Sequence, residues 1–200
     1  MSLCNMKNRT AMVLASSRIF LFAVWLTALA SVPGYRSFQD QLESGIDPKK
    51  IVTIYGSVSV IVTVASIGAW IYTSRWLRDA VDVANLNVPG TVRLHRGWAM
   101  WGWVAPIVSL WFPRMIVKDV LKSKQVTDVN DGININTWWM TWLMYSLLNS
   151  SQLSTQFLDS YFNKPPSNPI HPEIEIAGAC LLTASYLVWQ KIVVAIGGEE

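Results

Sequence analysis

The sequence predicts an all-α integral membrane bundle of four transmembrane helices plus a proline-broken hairpin, re-entrant or interfacial. Three observations lead there. Hydrophobic residues make up 52% of the 200 residues and charged residues only 14%, well below the roughly 25% charged that is usual in soluble domains. Four long apolar runs are separated by shorter polar stretches. The basic residues cluster at the ends of those runs instead of spreading along them.

The runs read as spans of one membrane domain over residues 1–200. A helix needs about 20 residues to cross roughly 30 Å of hydrocarbon. Ala11–Val32 is apolar apart from Arg18 and a few hydroxyls. Ile51–Thr73 is a 23-residue run without a charge. Thr137–Leu153 is shorter and tryptophan-rich, and Asn149, Ser150 and Ser151 extend it inside a bundle. Ile174–Ile196 carries Glu175 near its start and Gln190-Lys191 near its end. Tilt and snorkelling accommodate all four.

Gly97–Pro113, GWAMWGWVAPIVSLWFP, is a different case. It holds four of the eleven tryptophans, and Pro106 removes a backbone hydrogen bond at its centre. Charge placement decides between crossing and returning. If five segments cross, the basic residues divide evenly and give no orientation. If Gly97–Pro113 returns to the side it entered, one side collects Lys7, Arg9, Arg75, Arg78, Arg93, Arg96, Arg114, Lys118, Lys122 and Lys124. The other keeps Arg36, Lys49, Lys50 and Lys164. That asymmetry, with Arg18 and Lys191 inside spans, obeys the positive-inside rule and predicts cytoplasmic N- and C-termini. The N-terminal run has a second reading as a cleaved signal peptide, with Ile19–Leu29 its apolar core and Ala28-Leu29-Ala30 its cleavage site. A retained span is favoured, because Ala11–Ala15 is also apolar.

Between the spans, Pro33–Lys50 reads as an outer polar loop. Arg75–Asp82 reads as a helical continuation of the second span, with Arg75–Asp79 and Arg78–Asp82 at i,i+4 spacing. Val88-Pro89-Gly90 should break that helix. Ile116–Lys124 is a short basic amphipathic stretch, Asn130-Asp131-Gly132 a turn, and Asn163–Pro172 an outer proline-rich loop.

Several of these features together resemble a known family. They are Trp70-Ile71-Tyr72, the Arg75/Arg78 helix, Gly97-Trp98-Ala99 with Gly102-Trp103, Pro106, Leu110 and Pro113, Ile116-Val117, Asp119-Val120, and the cluster Trp138, Trp139 and Trp142. The pattern W-A-x-x-G-W-x-x-P-x-x-x-L-x-x-P is similar to that of a family of actinobacterial multi-pass membrane proteins described only as a domain of unknown function. The resemblance covers about Ala69–Asn149. It implies a helical membrane fold in a bacterial plasma membrane and no activity. Members often carry Asn in the cytoplasmic helix where this chain has Leu77, the nearest asparagine being Asn85.

Candidate site residues concentrate at the hairpin. Trp98, Trp103 and Trp111, with Trp101, can stack on a lipid, a quinone or a haem edge, although tryptophan also gathers at bilayer interfaces because its ring is amphipathic. Pro106 and Pro113 can frame a cavity or only shape the hairpin. Arg96 and Arg114 stand at its feet. Arg114, Lys118, Lys122 and Lys124 can attract anionic headgroups at about 1 kcal/mol per charge. His95 and His171 fall on opposite sides and cannot share a metal. Cys4 and Cys180 have no metal-ligand spacing. Ala65-x-x-x-Ala69 and Ala179-x-x-x-Thr183 are candidate packing motifs.

No H-E-x-x-H, G-x-S-x-G, P-loop or C-x-x-C is present. A net charge of +3 marks no nucleic-acid surface. The expectation is a non-catalytic membrane protein with no cofactor, in contact with membrane lipids. Its leading role is accessory or assembly subunit of a larger respiratory or envelope complex, with protein partners. The alternative is a membrane protein or permease that binds a small molecule, quinone or lipid between the hairpin and the spans.

Overall fold

A computed structural model describes residues 3–47, 50–103, 107–125, 133–161 and 170–198. Every regular element among them is helical: α1 (Leu3–Glu43), α2 (Ile54–Asn87), α3 (Trp98–Trp101), α4 (Phe112–Ser123), α5 (Ile135–Tyr161) and α6 (Pro172–Gly197), with a 3-10 turn at Val108–Leu110. Three stretches are long and apolar enough to cross a membrane: Met6–Glu43 within α1, α2 and α6. This is a helical membrane protein. The fourth apolar run forms α5, 27 residues long. It carries Asn149-Ser150-Ser151-Gln152.

The helices outrun the apolar runs that seed them. α1 does not stop at Val32 but passes through Pro33 to Glu43, so the first part of the expected loop Pro33–Lys50 is helical. A single proline forfeits one backbone bond and already has a helical φ, and long flanking turns carry the helix across it. α2 starts at the Thr53 N-cap, whose hydroxyl accepts from Gly56 N at 3.3 Å. It runs unbroken to Asn87, and Gly90 then turns the chain at φ +77°, as Val88-Pro89-Gly90 foretold. α6 opens with Pro172 and two acidic residues in its first turn, the arrangement that the helix dipole favours.

α1 packs against α2 and α6, and α6 against α5. Two ends can be told apart. At one end Arg9 pairs with Asp79, Arg96 with Asp82 at 3.1 Å, and Arg93 with Asp119 at 3.1 Å. Lys124 Nζ donates to the Ile196 carbonyl, and Thr10 leaves no room for a Cβ on Gly197. The start of α1, the late turns of α2, α4 and the end of α6 therefore meet there, in a basic end. At the opposite end Tyr55 OH donates to Glu175 Oε1 at 2.5 Å. A Cβ on Gly34 would stand 2.7 Å from Tyr55 Cβ, so glycine lets α1 and α2 close.

The expected ion pairs within α2 are replaced by pairs between elements. Asp79 engages Arg9, not Arg75, and Asp82 engages Arg96, not Arg78. Helical spacing brings i,i+4 partners near each other, but a charge on a neighbouring element can take the same carboxylate.

The larger buried core lies at the basic end. Trp76, Leu77, Val81, Ile116, Val117, Val120, Ile192 and Val193 are all buried in one cluster. Deeper in, among the described residues, lies a small cluster of Val24, Ala28, Ala179 and Leu182. There Trp25 Nε1 donates to Thr183 Oγ1 at 2.9 Å, so the Ala179/Thr183 pair does mediate α1–α6 packing.

The segment 97–113 is not one rod. α3 is a single turn, the 3-10 turn follows, and α4 starts at Phe112. Trp98 and Phe112 lie in edge-to-face contact with centroids 4.9 Å apart, whereas fourteen residues of straight helix would separate them by about 21 Å. The segment folds back, and its ends stand side by side. Pro106 lies outside the described residues, as do the expected turn Asn130-Asp131-Gly132 and most of the loop Asn163–Pro172. Pro113 is buried in the first turn of α4, where its missing N–H costs nothing.

Candidate functional site

The four long helices surround a cavity of ≈ 390 Å³, within the size range of small-molecule sites. Each helix supplies a stripe of residues three or four apart, as one helical face must. Ser17, Phe20 and Leu21 come from α1, and Ser66, Ile67, Ala69, Trp70 and Thr73 from α2. Trp138, Trp142, Tyr145 and Ser146 come from α5, Leu182, Ser185, Tyr186 and Trp189 from α6, and Trp103 from the folded-back segment. α1 bridges α2 and α6, and α6 holds α5. Among the described residues no comparable packing joins α2 to α5, so the cavity is closed least on that side.

At its basic end runs a continuous array of six tryptophans, of which Trp103, Trp138, Trp142 and Trp189 line the cavity. Trp76 meets Trp189 edge-on at 5.9 Å, and Trp189 stacks on Trp138 at 5.1 Å. Trp138 touches Trp139 at 5.4 Å, Trp139 stacks on Trp142 at 4.9 Å, and Trp142 meets Trp103 at 5.6 Å. Two backbone carbonyls fix the array to the folded-back segment. Trp103 Nε1 donates to Ala99 O at 3.0 Å, and Trp139 Nε1 to Leu110 O at 2.9 Å. Such aromatic pairs contribute about 0.5–1.5 kcal/mol each beyond area burial. The wall is rigid and apolar.

The hydroxyls around the cavity are largely used up. Ser66 donates to Thr63 O at 2.8 Å, Ser146 to Trp142 O at 2.9 Å, and Ser185 to Trp138 O at 3.3 Å. Tyr186 OH accepts from Arg18 Nε at 3.0 Å, so Arg18 reaches across to α6. One lining group is left over. Trp70 Nε1 is buried without a hydrogen-bond partner, a state that costs about 1–3 kcal/mol. The cavity thus offers a large apolar surface, from which the unpaired Trp70 Nε1 is itself shielded. Among the described residues no group of three or more His, Cys, Asp or Glu comes together to hold a metal. The lining itself contains no acid, histidine or cysteine.

Of the described residues proposed from the sequence as site residues at the hairpin, only Trp103 lines the cavity. Trp98 packs on Phe112, while Trp101 and Trp111 are exposed at 58% and 42%. The hairpin tryptophans therefore divide, with two outside and two turned inward. Arg96 is spent on Asp82, and Arg114 donates to Asn136 Oδ1 at 3.1 and 2.5 Å. Arg93 is the more important cation. It grips the buried Asp119 through Nε and Nη2, both at 3.1 Å, while its backbone N–H donates at 3.3 Å. Those bonds, and then the carboxylate's charge, raise the Arg93 pKa.

α4 shows its apolar face to the protein, burying Ile116, Val117, Val120 and Leu121, and leaves Lys118 and Lys122 exposed. Lys124 is not a free surface charge. It caps the end of α6, and burial pushes its pKa down. Sequence reasoning missed Trp70, Tyr145, Tyr186 and Trp189 as site residues. Their signal was present as i,i+3,i+4,i+7 stripes, but an all-apolar helix shows no preferred face in its composition.

No curated protein and no solved structure matches the chain. A family model does match, over residues 49–163, more than half of the chain. That stretch contains α2, the folded-back segment, α4 and α5, while α1 and α6 supply the other cavity walls from outside it. The chain belongs to the family described as a domain of unknown function, DUF4328.

Proposed function

We propose that this is a non-catalytic integral membrane protein that holds a hydrophobic small molecule, lipid or quinone drawn from the bilayer. In this reading α1, α2, α5 and α6 are four spans, and 97–113 enters and leaves by the same leaflet. The basic end and both termini face the cytoplasm of a bacterial plasma membrane, and the W/G/W/P/P spacing points to an actinobacterial source. One observation carries the binding role: an apolar cavity walled by all four long helices and least closed between α2 and α5. A site that loads from lipid needs such a lateral opening.

The test is extraction of the full chain in mild detergent, with native mass spectrometry. A bound lipid or quinone is expected on the wild type. Ala69→Phe, which fills the cavity from α2, should lose it. Retention of the same ligand by Ala69→Phe would refute the site.

Topology is tested by cysteine labelling in cells, after Cys4 and Cys180 are replaced. Cysteine at Lys124 should react only from the cytoplasm and cysteine at Asn163 only from outside. Reaction of the Lys124 position from outside would sink the returning segment.

A second reading, accessory or assembly subunit of a respiratory or envelope complex, is favoured by α2. None of its most apolar stretch is buried, and Val60, Ile61 and Val64 stand 51–65% exposed. Stoichiometric protein partners in the same extract would favour it, and a ligand-bearing monomer the first reading.

A further inference from the structure

The basic end presents a surface that the cavity does not use. α4 turns Ile116, Val117, Val120 and Leu121 toward the protein. On its other side Arg114, Lys118 and Lys122 follow one another at i,i+4 spacing, a single stripe about 12 Å long. Lys118 and Lys122 are exposed, and Arg114 is half-buried.

The charge of this stripe is not neutralised among the described residues. The carboxylates described at that end are already engaged: Asp79 by Arg9, Asp82 by Arg96 and Asp119 by Arg93. Asp119, the acid of α4 itself, is buried. Arg114 donates to Asn136, a neutral amide that leaves its charge uncompensated.

An apolar surface adjoins the stripe. The folded-back segment runs straight into α4, and its Trp101, Ile107, Leu110 and Trp111 are all exposed. Large apolar side chains beside unneutralised cations suit neither water nor hydrocarbon alone. They suit the headgroup layer, where indole rings collect and lysine and arginine meet anionic lipid. An acidic protein would satisfy the charges but leave the indoles in water.

We propose that this face docks anionic phospholipid. The headgroup phosphates lie along Arg114, Lys118 and Lys122, and the exposed side chains that precede α4 enter the upper acyl region. The site is separate from the cavity and does not depend on what the cavity holds.

The experiment uses the full chain, with Cys4 and Cys180 replaced, in phosphatidylcholine nanodiscs. A bimane on Met115→Cys, beside the stripe, reports on the lipid there. A bimane on Val60→Cys, exposed in the uncharged run of α2, is the control. The quencher is phosphatidylglycerol or phosphatidylcholine carrying a nitroxide near the headgroup, at equal mole fraction. The anionic lipid should quench the Met115 label at a mole fraction lower by about fivefold or more, the effect of one charge near an anionic surface. The Val60 label should show no such preference. Lys118→Gln with Lys122→Gln should reduce the preference below about twofold, and Lys118→Arg with Lys122→Arg should keep it. Salt at about 1 M, where the screening length is about 3 Å, should weaken it.

Equal quenching of the Met115 label by both lipids overturns the proposal. So does a preference that survives the paired glutamine substitutions or is indifferent to salt, or one equally strong at Val60. If neither lipid quenches the Met115 label while both quench the Val60 label, α4 stands clear of the bilayer, its stripe faces water or an acidic protein, and the proposal fails.

Discussion

The basic end and the middle of the bundle are built on different principles. At the basic end Trp76, Leu77, Ile116 and Val117 are at most 1% exposed and belong to a cluster with residues from all six helices. In the middle, α2 has no buried residue in its most apolar stretch, and Phe22, Leu29, Val60 and Val64 are more than 60% exposed. The contrast follows from the solvent each part meets. Helices of 41 and 34 residues span about 61 and 51 Å, and both exceed the roughly 30 Å of hydrocarbon. Their projecting turns meet water, where apolar side chains gain about 25 cal/mol per Å² by burial. Within lipid that driving force between helices is absent. The middle can then stay open, and a cavity there is tolerable where a similar void in a water-soluble core would be filled.

The most forceful challenge to this contrast is a pair of truncations. Trp76→Ala should lower the thermal midpoint in detergent sharply, at a cost of about 3–5 kcal/mol. Val64→Ala should stay within about 0.5 kcal/mol. If Val64→Ala proves costly in native membranes, α2 is packed against a partner and not against lipid. Next in size is Gly34→Val, which drives a side chain into Tyr55 and should cost about 1–3 kcal/mol. Gly68→Ala, with nothing within 4 Å of its Cβ position, should be tolerated and so locates where the middle is tight.

Asp119→Asn keeps the shape but removes the charge that three Arg93 donors share. It should destabilise by about 1–3 kcal/mol and free the loop before α3, seen as faster amide exchange there. The partner Arg93 is itself exposed and regains water, which limits the cost. Since the folded state raises the Arg93 pKa above its ordinary value, its contribution is complete below that value and fades only at higher pH. No dependence on Arg93 titration is expected between pH 5 and about 9.

The smallest effect concerns Lys124. Its folded pKa is lowered from 10.5 by burial, so the unfolded chain binds the proton more tightly, and stability rises as pH climbs from the lowered pKa toward 10.5. Lys124→Met should flatten that rise. A rise of equal slope in the variant would assign it to another group.

Much of the architecture was legible in residue order. Ile51–Thr73 and Ile174–Ile196 announce α2 and α6 by length and lack of charge, and Val88-Pro89-Gly90 marks the end of α2 within a residue. The weak span at Pro106 and the basic residues on both sides of it predicted a segment that does not run straight, and Trp98 does meet Phe112. The site was far less legible. Trp98, Trp111, Arg96 and Lys118 are conspicuous in sequence and lie away from the cavity, whereas Tyr145 and Tyr186 sit unremarked within apolar runs.

What residue order alone decided is local. Uninterrupted apolar length makes a helix, glycine and proline end or bend one, and the clustering of basic residues sets one end apart, because each depends on neighbours within a few turns. Tertiary packing decided the rest: that Asp79 takes Arg9 and not Arg75, that Lys124 caps α6, that six tryptophans join into one array, and that the Trp70 N–H is left buried without a partner. Those outcomes depend on the rotation and separation of helices distant in the chain, and a face that is apolar all round gives no local instruction about which side will turn inward.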